Sequence, residues 1–61
     1  MGARDKLKEI IATLEAAQAD ARKFDAGSNA PGTMVRKALS QAVAQCKALR
    51  AQVQAVREAR K

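Results

Sequence analysis

The functional groups that stand out in this 61-residue chain are its basic side chains, which are suited to binding a polyanion. Residues 1–28 contain five Lys or Arg and five Asp or Glu, so their charges sum to zero. Residues 29–61 contain seven Lys or Arg and one acid, Glu58, and seven minus one gives the whole net charge of +6. Such an asymmetry between halves indicates an anionic partner.

The basic residues of the second half lie along one side if that half is helical. At about 100° per residue, five of them fall within an arc of about 80° around the helix axis and form a single basic stripe. These five are Arg36, Lys47, Arg50, Arg57 and Lys61. A solvated basic surface that only keeps the protein soluble is the alternative interpretation. The predicted nucleic-acid contacts are Arg36, Lys37, Lys47, Arg50, Arg57, Arg60 and Lys61.

The start of the second half breaks a rule of helix electrostatics. Helix N-termini favour acids, yet this one offers Arg36 and Lys37 with no acid nearby. A local rule is often broken at a functional site. We therefore expect free N–H groups at Gly32 and Thr33 to hold a phosphate together with these two cations.

Other kinds of site have little support in the sequence. The chain has no histidine and a single cysteine, Cys46, so we expect no metal site, no cofactor and no disulfide within the chain. The carboxylates are dispersed and no nucleophile has an evident base, so we expect neither an enzyme nor a small-molecule substrate. Cys46 falls in an apolar stripe and is expected to be a small buried hydrophobe.

Two apolar stripes with spacings of three and four residues predict the elements that carry these cations. This pattern is typical of helices that pack as in coiled coils. The first stripe consists of Leu7, Ile10, Leu14, Ala17, Ala21 and Phe24, and the second of Val35, Leu39, Ala42, Cys46, Leu49, Val53 and Val56.

One cluster of helix breakers, at residues 27–32, separates the stripes. Gly27 can end the first helix in a left-handed conformation, and Asn29 can cap the second, with Thr33 as a rival cap. We predict a single all-α domain over residues 1–61: an antiparallel two-helix hairpin with helices at about 3–26 and 31–60 and a turn at 27–30. Because so short a chain buries a small core, we expect two hairpins to pair as a homodimeric four-helix bundle.

The composition narrows the class of nucleic acid. Readers of single strands stack bases on aromatic side chains, and this chain has only Phe24. Contact with the backbone of double-stranded DNA fits best, although double-stranded RNA stays open. The lone cysteine and the charged start, without a signal peptide, favour a cytoplasmic protein.

The turn and the residues after it resemble the chlamydial-type linker-histone-like family of small bacterial nucleoid proteins. In that family a glycine and an asparagine at the turn precede an Ala-Ala-Gly-Thr stretch and a basic run that opens a helix. Pro31 and Met34 depart from the pattern, the latter where a basic residue is common. The resemblance implies DNA binding and chromosome packaging. The matching residues are Gly27, Asn29, Ala30, Gly32, Thr33, Arg36 and Lys37, and Ala48, Leu49 and Arg50 downstream.

Two other functions remain open from the sequence. The apolar face of the hairpin is also suited to another helical protein, so a protein–protein interaction module is the alternative. A basic amphipathic helix can also lie on an anionic membrane, but a membrane is the weaker expectation because the apolar face has no Trp and few large anchors.

Overall fold

The computed structural model describes residues 2–60 and consists of two helices. Helix α1 spans Ala3–Asp25 and helix α2 spans Ala30–Ala59, and the described residues contain no strand. The helices lie antiparallel in a body of 52 × 15 × 13 Å, so the predicted all-α hairpin is confirmed. The ranges predicted for these helices from the sequence are about 3–26 and 31–60.

The end of α1 is fixed by backbone hydrogen bonds. Gly27 has a φ of 114°, the left-handed conformation that the sequence predicts for it. Its N–H donates to the carbonyl of Phe24 at 3.0 Å, and the N–H of Ser28 donates to that of Lys23 at 3.1 Å. This is the Schellman pattern, which satisfies two terminal carbonyls and turns the chain back toward α1.

Helix α2 begins at Ala30, three residues before Thr33, so Thr33 is not its N-cap. Its N-cap is Asn29, as predicted, but the side chain makes no capping hydrogen bond. The backbone of Asn29 takes part in the cap, because its carbonyl oxygen accepts a hydrogen bond from the N–H of Gly32 at 3.0 Å. Pro31 is accommodated in the first turn of α2, where a backbone N–H would have no partner within the helix.

Gly32 also brings the two helices together at the turn. A Cβ at this position would lie 2.8 Å from Cδ1 and 2.9 Å from Cε1 of Phe24. The absence of a side chain therefore lets the ring of Phe24 lie directly against the first turn of α2.

The line of contact between the helices is narrow. Ile10, Ala42 and Leu49 are its buried side chains. Half-buried residues flank them along both helices, at spacings of three and four. These half-buried positions are Lys6, Thr13, Ala17, Asp20 and Ala21 on α1 and Val35, Ala38, Gln45 and Gln52 on α2.

The predicted apolar stripes are only partly buried, which corrects the expected core. Ile10, Ala42 and Leu49 lie in the contact, but other large members of the stripes remain about half exposed. Cys46 is exposed as well, so its predicted burial is wrong for the single hairpin. One helix can cover only a narrow part of a wide apolar stripe, and the rest needs another layer. Exposed members of the stripes, together with the neighbouring Ile11 and Val43, define the apolar face: Leu7, Ile11, Leu14, Leu39, Val43, Cys46 and Val53.

Candidate nucleic-acid interface

The edge of α2 that points away from α1 carries two of the predicted contacts. Arg36 and Lys47 lie within about 20° of each other around the helix, and about 150° from its line of contact with α1. Both side chains are exposed. We call Arg36 and Lys47 the edge pair. Nothing in the hairpin competes with a ligand for them, so this edge is a free cationic surface.

A shallow depression near the turn joins one of these cations to two hydroxyl groups. It is lined by Thr33, Arg36, Lys37 and Ser40. The first turn of α2 contains no acidic residue. Two cations and two hydroxyls can donate charge-assisted hydrogen bonds to the oxygens of one phosphate group. The depression therefore has the chemistry of an anion site.

The predicted role of the Gly32 amide is not supported by the structure. Its N–H already donates to Asn29, and its Cα faces the ring of Phe24, so it is a packing residue and not a free donor. Thr33 is retained in the site by its hydroxyl, since helix α2 begins three residues before it. A phosphate in this depression would therefore be held by side chains and not by the Gly32 amide.

Arg50 and Arg57 occupy a different environment from the edge pair. They line an open groove between the helices together with Leu7 and Ile10 of α1 and Val53 of α2. Nine residues line this groove and none is acidic: Ala3, Leu7, Ile10, Cys46, Leu49, Arg50, Val53, Gln54 and Arg57. We call Arg50 and Arg57 the groove pair. The single basic stripe of the sequence is thus split into two groups, one free and one beside apolar side chains.

The last turn of α2 collects the remaining predicted cations. Arg57 and Arg60 line a common depression with Gln54 and Glu58. The amide of Gln54 donates to Oε1 of Glu58 at 2.9 Å, which holds the acid of this helix beside the two arginines. Lys61, also a predicted contact, lies outside the described residues. These cations complement the negative end of the helix dipole, so folding alone explains their position.

Helix α1 contributes a basic edge that sequence reasoning missed. Arg4, Lys8 and Arg22 fall within an arc of about 40° on the side away from α2, with Glu15 among them. All four side chains are exposed. The zero net charge of the first half concealed this edge, because the balancing acids Asp5, Glu9 and Asp20 lie on another side of α1. Plotting α1 on a helical wheel, as for α2, would have found it.

Local ion pairing does not neutralise these edges. Of the four i,i+3 pairs that the spacing of charges on α1 suggests, Lys6 and Glu9 come within range, at 3.8 Å between Nζ and Oε2. The other three, Asp5–Lys8, Asp20–Lys23 and Arg22–Asp25, are not formed. Lys8 and Arg22 are therefore available to a ligand.

In the described part of the chain, no group of three or more potential ligand side chains is arranged to hold a metal ion. Neither helix has an apolar stretch long enough to cross a membrane.

The family model described as histone H1-like protein Hc1 matches residues 4–59, which is nearly the whole chain. No curated protein and no solved structure matches the chain.

Proposed function

The chain belongs to the histone H1-like protein Hc1 family, and on this basis we propose that it binds double-stranded DNA without sequence preference, as a nucleoid-associated protein. The family is an architectural, DNA-binding one and not a family of enzymes. That character agrees with the expectation, drawn from the residues, that the chain is not a catalyst. The nucleoid is the corresponding location.

The observation that carries the proposal is the uncompensated positive charge along α2. The edge pair and Lys37 are exposed cations, and the depression near the turn adds the hydroxyls of Thr33 and Ser40. Phosphate oxygens are the ligands that such groups prefer, and contacts with phosphates position a protein without reading bases. Arg50 and Arg57 extend the positive field along the same helix, and Arg60 extends it to the C-cap. Lys61, outside the described residues, is the remaining proposed contact.

The absence of sequence preference follows from the shape of the hairpin. A recognition helix enters the major groove from a compact motif and presents several polar side chains to base edges. Here the outer surface of a long, narrow two-helix body carries many alanines, among them Ala44, Ala51 and Ala55 on α2, beside the exposed cations. Alanine offers no hydrogen bond to a base, so we attribute the proposed affinity to the phosphate backbone.

We further propose that the functional unit is a homodimer, paired through the apolar face. Among residues 2–60 the single hairpin buries only three side chains, while Leu7, Ile11 and Val43 are 50%, 51% and 54% exposed. Seven side chains that are about half exposed leave on the order of 500 Å² of apolar surface, which approaches the roughly 800 Å² per partner of a standard interface. A patch of this size is among the largest that monomeric proteins expose, and such patches often mark interaction sites.

A fluorescence anisotropy titration with duplex DNA at several salt concentrations tests the DNA proposal. If about five phosphates are neutralised per protomer, the slope of log K against log salt is about −4 to −5. Two duplexes of unrelated sequence should give affinities within about threefold of each other, as backbone contact requires. No binding at low salt, or a slope near zero, contradicts the proposal.

The exposed apolar face also favours a second candidate, a hairpin that binds another helical protein. The two functions differ in what covers the apolar face. Sedimentation equilibrium of the pure chain separates them, because a stable homodimer leaves no such face for a foreign helix. A monomer at micromolar concentration would favour the second candidate.

A further inference from the structure

We propose that the dimer pairs α2 of one hairpin with α1 of its partner, so that its two basic edges point to opposite sides and one dimer bridges two DNA duplexes. This inference rests on the proposed function, because it assumes both DNA binding and self-association. It adds the geometry of the dimer and the number of duplexes that the dimer holds.

The apolar face lies on one side of the hairpin. Leu7 and Ile10 of α1 line the same groove as Cys46 and Val53 of α2. The groove on the other side of the hairpin is lined by Lys6, Glu9, Gln45 and Gln52 as well as by apolar side chains, and it therefore carries more polar side chains than the first. A second copy therefore packs on one side only, and its two-fold axis lies in the plane between the two apolar faces.

Two arrangements satisfy this symmetry. If the axis runs along the hairpin, both turns lie at the same end and α2 packs against α1 of the partner. If the axis runs across the hairpin, the turns lie at opposite ends and α2 packs against α2 of the partner. In the first arrangement the two α2 helices occupy a diagonal of the bundle, and in the second they are neighbours.

Charge decides between the two arrangements. Residues 29–61, which contain α2, carry the net charge of +6, whereas residues 1–28 carry none. Neighbouring helix axes lie about 8–10 Å apart and diagonal axes about 13 Å apart. The screening length at physiological ionic strength is about 8 Å, so repulsion between the two α2 helices is weaker across a diagonal than between neighbours. Arg50 and Arg57 also line the apolar groove, so packing α2 against α2 would bring four arginines together, whereas packing α2 against α1 places them beside a helix without net charge. The diagonal arrangement is therefore favoured.

The diagonal arrangement determines where the cations point. The edge pair lies about 150° around α2 from α1, so the edges of the two protomers face opposite sides of the bundle. On each side this edge lies beside the α1 edge of the partner, which carries Arg4, Lys8 and Arg22. Each side then has the exposed cations of two helices, and each can hold one duplex. The neighbouring arrangement would place both α2 edges on a single side.

Cys46, the single cysteine of the chain, reports the arrangement without any substitution. It lies midway between Leu39 and Val53, hence at the centre of the apolar face on α2. If α2 packs against α2, the two-fold axis passes near Cys46 and the two thiols come within the ~7 Å Cα separation that a disulfide allows. Across a diagonal they do not. Mild oxidation of the native dimer should therefore yield little disulfide-linked dimer, and rapid, near-complete linkage would overturn the proposal.

A bridging assay tests the functional consequence. Duplex DNA fixed to beads should capture a second, labelled duplex at least about tenfold above background when the chain is present, and excess protein should abolish capture by coating each duplex separately. Val43→Gln places an amide on the apolar face without changing the charge, whereas Ala44→Gln, its matched control, changes the next residue on the outer side. We expect Val43→Gln to lose capture and Ala44→Gln to retain it.

Parallel anisotropy titrations with the same duplex separate the two levels of the proposal. DNA binding by a dimer without capture overturns the bridging inference and leaves the proposed function intact. A chain that binds DNA as a monomer, or a Val43→Gln variant that captures as well as the native chain, also overturns the bridging inference. If the native chain does not bind DNA at all, both the inference and the proposed function are wrong.

Discussion

The edge pair and the groove pair are two sets of cations on one helix with the same formal charge and different surroundings. Arg36 and Lys47 lie on the free side of α2, whereas Arg50 and Arg57 lie about 60° away beside Leu7 and other apolar side chains. A cation on a free edge can approach a phosphate closely. A cation beside an apolar face packs its aliphatic stem there and keeps only its charged end in solvent. Equal charge therefore does not imply equal roles.

The largest expected effect comes from removing each pair separately. Arg36→Gln/Lys47→Gln and Arg50→Gln/Arg57→Gln both lower the net charge from +6 to +4. Loss of the edge pair should weaken DNA binding about tenfold or more and reduce the salt slope by about 2, because two phosphate contacts are lost. Loss of the groove pair should change the slope by less than 1. Anisotropy titrations at several salt concentrations measure both, and equal slopes for the two variants would erase the distinction.

Two neighbouring isoleucines extend the comparison from cations to the apolar surfaces. Ile10 is 7% exposed and Ile11 is 51% exposed, so the same substitution samples the helix contact and the apolar face. Ile10→Val should lower the free energy of unfolding by about 1 kcal/mol, since it removes a buried methylene group. Ile11→Val should cost less in dilute solution, and its effect should grow with protein concentration if the face is buried in a dimer. Thermal melts followed by circular dichroism over a range of protein concentrations measure this difference. Identical curves for the two variants would show that the helix contact and the apolar face do not differ in this way.

The contact between Gly32 and Phe24 tests how the turn end is held together. Alanine in place of Gly32 gains about 1 kcal/mol of helix propensity, but its Cβ would lie 2.8 Å from the ring of Phe24. Gly32→Ala should therefore be neutral or destabilising in the native chain and stabilising by up to about 1 kcal/mol in a Phe24→Ala background. A double-mutant cycle measured by thermal unfolding gives the coupling. If the effects of the two substitutions on the free energy of unfolding are strictly additive, the ring of Phe24 moves aside from Ala at position 32 without cost.

The smallest effect is expected on the polar side of the hairpin. Oε1 of Gln45 is buried and makes no hydrogen bond within the described chain. Gln45→Met removes this oxygen, keeps a similar length and should raise the free energy of unfolding by about 0.5–1 kcal/mol. The exposed substitution Gln41→Met should change it little. Chemical denaturation of both variants measures the difference, and a lower stability for Gln45→Met would show that the oxygen is satisfied.

Local sequence patterns predicted the elements and the turn. Spacings of three and four predicted both helices, and the left-handed residue that ends α1 was predicted at Gly27, where φ is 114°. These features depend on residues close to one another in the sequence. Backbone hydrogen bonds join them, and a positive φ costs little in glycine. The family was also evident from the residues around the turn, and the family match over residues 4–59 confirms it.

The candidate site was predicted less completely. Lys37 and Arg36 were named with Gly32, but the depression that they line contains Ser40, and the Gly32 amide is engaged with Asn29. Thr33, Arg36, Lys37 and Ser40 are spaced by three and four residues on one side of α2, so their grouping could have been read from helical periodicity. The hydrogen bond of the Gly32 amide became clear only from the conformation of the first turn. The basic edge of α1 was concealed by a charge sum, which counts residues without regard to their direction.

The sequence by itself determined that this protein is an α-helical hairpin with an excess of positive charge on its second helix. Only the tertiary structure decided which part of each apolar stripe is buried. Ile10, Ala42 and Leu49 are inside, while Leu7, Leu39 and Cys46 are outside, although all six belong to the same repeating pattern. The physical reason is that periodicity fixes the direction of each side chain relative to its own helix axis, whereas burial depends on how each helix is rotated against its partner. That rotation also separated the edge pair from the groove pair.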